Sequence, residues 1–243
     1  MKETIDKLNS DAEYYGAFGK SFLSNSDINA LLNNPKMFKK DTDKTTAMLV
    51  GSYFHTAMLE PEKLPDFTIV DASTRTTNIY KDAKLSTGQD LLLLRNECDE
   101  INRLIDTMKG NLEFYDAIYR DGNQYEVPMV GEIFGHMWKG KADIICDDMI
   151  IDIKTTSNIN DFRWSAKKYN YDSQAYIYQE LFGKPLVFYV IDKSTGMMGI
   201  FEPSEDFIEN GRSKVLEAIS VYERFFSPTA WDNIDTYVIR EEL

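Results

Sequence analysis

Cysteine is almost missing from this chain: Cys98 and Cys146 are the only two in 243 residues. Two thiols cannot build the disulfide framework of a small secreted domain, nor supply the four thiolates of an iron–sulfur cluster. Histidine is equally scarce, with His55 and His136 alone. No apolar run approaches the roughly 20 residues that cross a bilayer, and Met1-Lys2-Glu3-Thr4 opens no signal-peptide pattern, so we expect a cytoplasmic protein with no membrane partner. Basic side chains are also in deficit, 27 against 40 acidic ones for a net charge of −13, which excludes a chain that holds nucleic acid through its overall charge. Internal repeats and low-complexity tracts are absent.

The charge that is present is unevenly spread. Between Lys139 and Lys168 six basic residues (Lys139, Lys141, Lys154, Arg163, Lys167, Lys168) face five acids (Asp143, Asp147, Asp148, Asp152, Asp161), whereas Phe201 to Leu243 holds ten acids against four bases. If two of the first five acids are neutralised by a bound cation, a locally positive strip remains. The length and a hydrophobic content of 43% support one α/β domain over 1–243 with a sizeable core.

Residues 1–20 show no strong periodicity and read as a flexible arm; 21–110 read as a helical N-terminal part. Within it, Ser24 and Asp27 supply cap residues for a helix that ends at Asn33-Asn34-Pro35, and Leu49 to Glu60 forms a helix whose exit is marked by Pro61. Asp71 to Gly88 reads as a polar loop over a cleft, carrying the basic side chains Arg75, Lys81 and Lys84. Asp90 to Met108 has helical spacing. Strands follow at Gln124–Pro128, Gly135–Ile145, Ile150–Thr156, Leu186–Ile191 and Met197–Glu202, with helices at Tyr171–Phe182 and Ser204–Phe226.

Gly135–Ile145 and Ile150–Thr156 are joined so closely that they form a hairpin. If Cys146 lies across from Met149, Asp143 stands opposite Asp152 and Lys141 opposite Lys154, and all four side chains project from one face. Two carboxylates so placed lie roughly 5 Å apart at Cβ and repel unless a cation separates them. Such an oxygen-rich site suits Mg²⁺, with Mn²⁺ able to substitute. Lys154 could orient or help deprotonate a water and stabilise charge on a phosphoryl group. An ordinary hairpin with a solvated charged face shows the same spacing; the flanking isoleucines Ile144, Ile145, Ile150, Ile151 and Ile153 favour a central hairpin bordering a cleft.

Gly140-Lys141-Ala142-Asp143, Ile151-Asp152-Ile153-Lys154-Thr155-Thr156 and Gln174-Ala175-Tyr176-Ile177-Tyr178, in this order, resemble the PD-(D/E)xK nucleases. Within them the chain is most similar to the RecB-like branch that includes lambda exonuclease and bacterial exonuclease VIII. The resemblance implies a mixed central sheet flanked by helices, with N-terminal helical additions and a catalytic core over 120–226. It assigns Asp143 and Asp152 as metal-binding acids, the Ile153 carbonyl as a backbone ligand and Lys154 as the motif lysine. Gln174 and Tyr178, one helical turn apart, match an element that lies beside the active site and contacts DNA, where Lys141 and Arg75 are further candidates. On the helix through Gly51 and His55 the resemblance makes His55 a metal-site residue; without it, a packed core histidine is the ordinary reading, as it is for His136. Glu126 is a secondary metal-site candidate or an edge-strand surface residue.

The resemblance further implies two Mg²⁺ ions about 4 Å apart around a scissile phosphate. It implies 5′-to-3′ digestion of double-stranded DNA in a phage or prophage recombination system in a bacterial cell. A single-strand annealing partner and a trimeric or tetrameric ring are expected with it. An endonuclease or single-strand nuclease on the same fold, or a catalytically idle partner-binding scaffold, are the alternatives.

Overall fold

The computed structural model of the protein describes residues 1–239. Its centre is a five-stranded sheet in the order β3 (Gln124–Ile133), β4 (His136–Ile145), β5 (Ile150–Thr156), β6 (Leu186–Asp192), β7 (Met198–Phe201), and β1 (Ile69–Val70) pairs with β2 (Leu93–Leu94) apart from it. β1 and β2 are parallel, and within the five-stranded sheet neighbours run antiparallel except β5 and β6, which are parallel too. A parallel pair needs a crossover. Here it consists of α9 (Phe162–Lys168) and α10 (Tyr171–Phe182). Every residue of β6 is buried, as expected of a strand covered on both faces.

Helices cover the two faces separately. On one face α5 (Thr46–Leu59), α7 (Arg95–Gly110) and α8 (Leu112–Ile118) pack Phe54, Met58, Leu104, Met108 and Phe114 against Ile144, Ile151, Ile153 and Tyr189. On the other, α4 (Asn25–Asn33), α10 and α11 (Glu205–Phe225) pack Ile28, Leu31, Ile177, Val215 and Ala218 against Trp138, Ala142, Ile150 and Phe188. Local chemistry sets the ends of these helices. Ser24 and Asp27 form a reciprocal capping box, Thr45 accepts from Met48 N–H to start α5, and Gly183 in the left-handed region closes α10. The mixed sheet flanked by helices is the architecture expected from the sequence.

Two segments differ from expectation. Residues 1–20 are not an arm: they fold as α1 (Lys2–Leu8), α2 (Asp11–Tyr15) and α3 (Ala17–Lys20), and Leu8 and Tyr14 pack against Val130 of β3. Each helix is too short to show a period, so the signal is confined to single apolar side chains. The expected polar loop at Asp71–Gly88 instead holds α6 (Asn78–Thr87), capped by Thr77 and ended by Gly88. It buries only Tyr80, against Val70, Leu92 and Leu94, which is why no apolar stripe announced it. The acidic excess of the C-terminal part is distributed through α11 and the turns after it, while its last members, Glu241 and Glu242, lie outside the described residues.

Candidate active site

The hairpin forms in the expected register: Cys146 N–H donates to the Met149 carbonyl at 2.9 Å, and Ile145 pairs with Ile150 and Ile144 with Ile151. Pairing then stops. The next hydrogen-bonded position would join Ile153 to Ala142, but Ile153 N–H donates instead to Asp143 Oδ2 at 2.9 Å. The two strands part here. The vacated edge of β4 is taken up further along by Leu23, which bonds to Met137 and Lys139. A cleft of about 550 Å³ opens between, lined by residues of α2, α5, β3, β4, β5 and α10.

The same level of the sheet carries a second irregularity. In β3, Tyr125 pairs with Ile144 and Val127 with Ala142, so the register is unbroken, yet Glu126 and Asp143 between them make no pair. Glu126 has φ +51°, a left-handed conformation that costs a non-glycine residue on the order of 1–3 kcal/mol. Across this step the pleat inverts on both strands: Ala142 faces the α10 side, whereas Ile144 faces the α5 side. The inversion turns the Glu126 and Asp143 side chains into the gap. There they meet His55 of α5, and His55, Glu126 and Asp143 each offer a ligand atom within 4.8 Å of the other two.

The expectation that Asp143, Asp152, Lys141 and Lys154 share one face is therefore corrected. Lys141 turns toward Asp11 (2.7 Å) and Glu126 (3.2 Å). Asp152 and Lys154 face α10, where Gln174 Nε2 donates to Asp152 Oδ2 at 2.6 Å and the Lys154 ammonium lies against Asp152 Oδ1 and 5.2 Å from the Tyr171 ring centre. Asp152 Oδ1 is buried, and the ammonium is its ion-pair partner without hydrogen-bond geometry. Glu126, placed second in the sequence reading, is thus the third convergent donor, and Asp152 stands one step behind, held by Gln174 and Lys154.

Electrostatics explain how so many charges coexist. Burial pushes Glu126 up to about 7, with Asp143 adding to the effect; burial likewise takes Asp152 up to about 6, against the opposing pull of Lys154. Burial would raise Asp143 too, but the charge and hydrogen bond of His55, then Lys154 and the Ile153 N–H, hold it below the ordinary carboxylate range. His55 Nδ1 lies 3.3 Å from Asp143 Oδ2, and that carboxylate outweighs burial to raise the imidazole above its usual value. Burial would lower Lys154, but Asp152 and Asp143 overcome it, so the lysine stays charged.

Five acids (Asp11, Glu60, Glu126, Asp143, Asp152) and three lysines (Lys139, Lys141, Lys154) line the cleft. All three lysines are engaged, Lys139 with the Tyr14 carbonyl. Three donors of oxygen and imidazole type, Asp143 buried and His55 and Glu126 half-buried, mutually repelling at their carboxylates and converging on one point, fit a hard or borderline divalent ion. The Ile153 carbonyl leaves the strand on the same edge as its N–H and so faces the same gap.

The remaining candidates divide between the cleft, which Tyr178 and Gly51 line, and positions away from it. Tyr178 lies against β4 because Gly140 has no side chain: a Cβ there would come within 2.9 Å of the ring. Its hydroxyl donates to the Lys141 carbonyl at 2.9 Å and accepts from Lys141 N–H at 3.3 Å. Gly51 opens onto the cleft with nothing within 4 Å of a would-be Cβ, so no backbone packs there. Arg75 is not at the site: both its terminal nitrogens bind Glu97, at 2.7 and 2.8 Å, in the satellite cluster around Tyr80. His136 is structural, bonded to Glu223 at 3.0 Å. Sequence reasoning missed Asp11, Tyr14 and Tyr15, which reach the cleft from the N-terminal helices; the Tyr-Tyr pair in an otherwise polar stretch was the available signal.

The family model that matches this chain, over residues 20–232, describes a PDDEXK-like domain of unknown function (DUF3799). None of the curated proteins matches the sequence. Among solved structures, the fold is similar to that of a "Putative exonuclease" from Eubacterium rectale, with TM-score 0.65, 18% identity, and 96% of this chain and 95% of that chain covered. A second structure, SSO0001, covers 94% of this chain and 85% of its own at 14% identity, but with TM-score 0.37 it carries no argument.

Proposed function

Because the chain belongs to the PDDEXK-like family of unknown function described above, and so to the PD-(D/E)xK superfamily, we propose that it is a divalent-metal-dependent deoxyribonuclease. The observation that carries this reading is the convergence of His55, Glu126 and Asp143 beside the Asp152–Lys154 pair, at the point where β4 and β5 part. A divalent ion bound by these donors supplies Lewis-acid polarisation of a phosphoryl oxygen and a bound water of lowered pKa. His55, Glu126 and Asp143 would hold it, with the Ile153 carbonyl on the same gap. Mg²⁺ is the ion proposed, with Mn²⁺ substituting.

The other residues act on position and charge. Lys154, held charged between Asp152 and the Tyr171 ring, is placed to meet the negative charge that grows on phosphorus as water adds. Gln174 fixes the Asp152 carboxylate that fixes Lys154. The bond to the 3′ oxygen breaks, that oxygen takes up a proton, and a 5′-phosphate is released. Following the sequence resemblance, we propose duplex DNA digested from a 5′ end as the substrate, in a phage or prophage recombination system, with a homo-oligomeric ring and a single-strand annealing partner.

Digestion of 5′- and 3′-labelled linear duplex, with closed circular DNA alongside, in Mg²⁺, Mn²⁺ or EDTA tests this. Nucleotides released from linear DNA alone, in metal alone, are expected. Lys154→Ala should lower cutting at least about 100-fold, the scale of losing one electrostatic contact to the transition state, in a variant that still unfolds cooperatively at a lower midpoint because Asp152 loses its partner. Undiminished cutting by that variant refutes the site; cutting of closed circles refutes the exonuclease assignment.

A further inference from the structure

Outside the cleft, one surface carries basic side chains that form no ion pair among the described residues. The run Phe162 to Asn170 holds Arg163, Lys167 and Lys168 and no acid, in a chain whose net charge is −13. None of these three is ion-paired with an acid of the described residues, in contrast to Lys141 and Lys154 of the cleft. Interleaved with them are two large aromatic rings turned to solvent, Trp164 at 61% and Tyr169 at 58% exposure. Spacing of i, i+4 puts Arg163 with Lys167 and Trp164 with Lys168 on adjoining stripes of α9, while Phe162 and Ala166 fill the buried side. The Arg163 guanidinium lies 5.0 Å from the Trp164 ring centre, and the Lys168 ammonium lies 5.7 Å from that of Tyr169.

This surface adjoins the candidate active site. Tyr169 and Tyr171 have ring centres 6.2 Å apart, and the Tyr171 ring in turn is 5.2 Å from the Lys154 ammonium. The turn between α9 and α10 is tied to the cleft wall, because Asn25 Nδ2 donates to the Asn170 carbonyl at 3.1 Å. Lys214 donates to the Lys167 carbonyl at 2.9 Å and pairs with Asp172 at 3.0 Å, which ties the end of the helix to α10 and α11.

Exposed rings beside unpaired cations suit unpaired nucleotides: every base offers a π face to stack on, and each phosphate offers a charge. In a duplex those faces are already stacked and the rings would have no partner. We propose that α9 and Tyr169 form a platform that binds single-stranded DNA and leads it to or from the cleft, so that the enzyme engages DNA ends with an unpaired strand. This deepens the nuclease reading and rests on it for the role of the cleft, but the binding itself is separable from cutting.

The test is binding in EDTA of a fluorescein-labelled oligothymidylate of about 12 nucleotides, within the site sizes usual for such surfaces, beside a blunt duplex hairpin. Trp164→Ala and Tyr169→Ala should each weaken oligothymidylate binding at least about fivefold, the lower end for removing one stacked ring, and change hairpin binding less than about twofold. Trp164→Phe should recover most of the affinity. Both side chains are exposed, so unchanged unfolding midpoints are expected and would be measured in parallel. Wild-type protein that does not bind the oligothymidylate, variants that bind it as the wild type does, or an equal loss for both ligands overturns the platform. Metal-dependent cutting that persists with any of these leaves the nuclease reading standing. Ring-dependent binding by a protein that cuts nothing in Mg²⁺ or Mn²⁺ supports the platform and removes the nuclease.

Discussion

Glu126→Gln separates the electrostatics of the site from its chemistry. In the metal-free protein Glu126 is half-buried next to the Asp143 carboxylate, and its pKa rises from 4.5 to about 7. Below about pH 4.5 the side chain is protonated in both folded and unfolded chains, and the neutral amide should match it closely. As pH rises, the unfolded chain ionises first, so stability present at low pH is lost through the folded value near 7. The shift corresponds to about 3 kcal/mol at most, since burial is not complete and Lys141 lies at 3.2 Å. At roughly 2–4 °C per kcal/mol for a chain of this size, Glu126→Gln should unfold about 6–12 °C above the wild type in EDTA at about pH 8. Near pH 4.5 the two should coincide. Mn²⁺ at about 1,000 times its Kd should reverse the order at the higher pH, because it adds about 4.1 kcal/mol to the protein that keeps the carboxylate. Calorimetry or denaturant titration across pH, with EDTA or Mn²⁺, measures all of this. A variant that follows the wild-type pH profile in EDTA, or is less stable at pH 8, refutes the claim that these carboxylates are held against their mutual repulsion.

Two structural predictions follow. A Cβ on Gly211 of α11 would sit 2.1 Å from the Asp172 carbonyl oxygen, a backbone atom that cannot move aside, so Gly211→Ala should cost about 2–3 kcal/mol by urea unfolding as α10 and α11 are forced apart. Arg75→Ala removes the pair with Glu97 and should cost about 1 kcal/mol. Its rate of DNA cutting should equal the wild type's; a loss of rate without loss of stability would return Arg75 to the site.

Regular elements were legible in the sequence wherever burial was continuous. Tyr171–Phe182 and Ile150–Thr156 have the ends that their apolar pattern and flanking glycine, asparagine and proline residues predict. The hairpin register followed from its short turn. Where burial is supplied by one side chain at a time, as with Leu8, Tyr14 and Tyr80, periodicity carried no information and the helices of 1–20 and 78–87 went unseen. Arg75 stands away from the cleft for a related reason: its partner Glu97 lies 22 residues away, on a helix that no local pattern ties to it.

The sequence alone determined the motif residues and their order along the hairpin, the α10 helix that presents Gln174 and Tyr178, and the family to which they point, because each rests on contacts between near neighbours in the chain. Tertiary structure decided which of them meet. The pleat inversion at Glu126 and Asp143 depends on two strands changing face together, and the placing of His55 depends on how α5 packs over Ile144 and Ile153. Neither is encoded in spacing, since both depend on side chains brought together only when distant segments pack on one sheet.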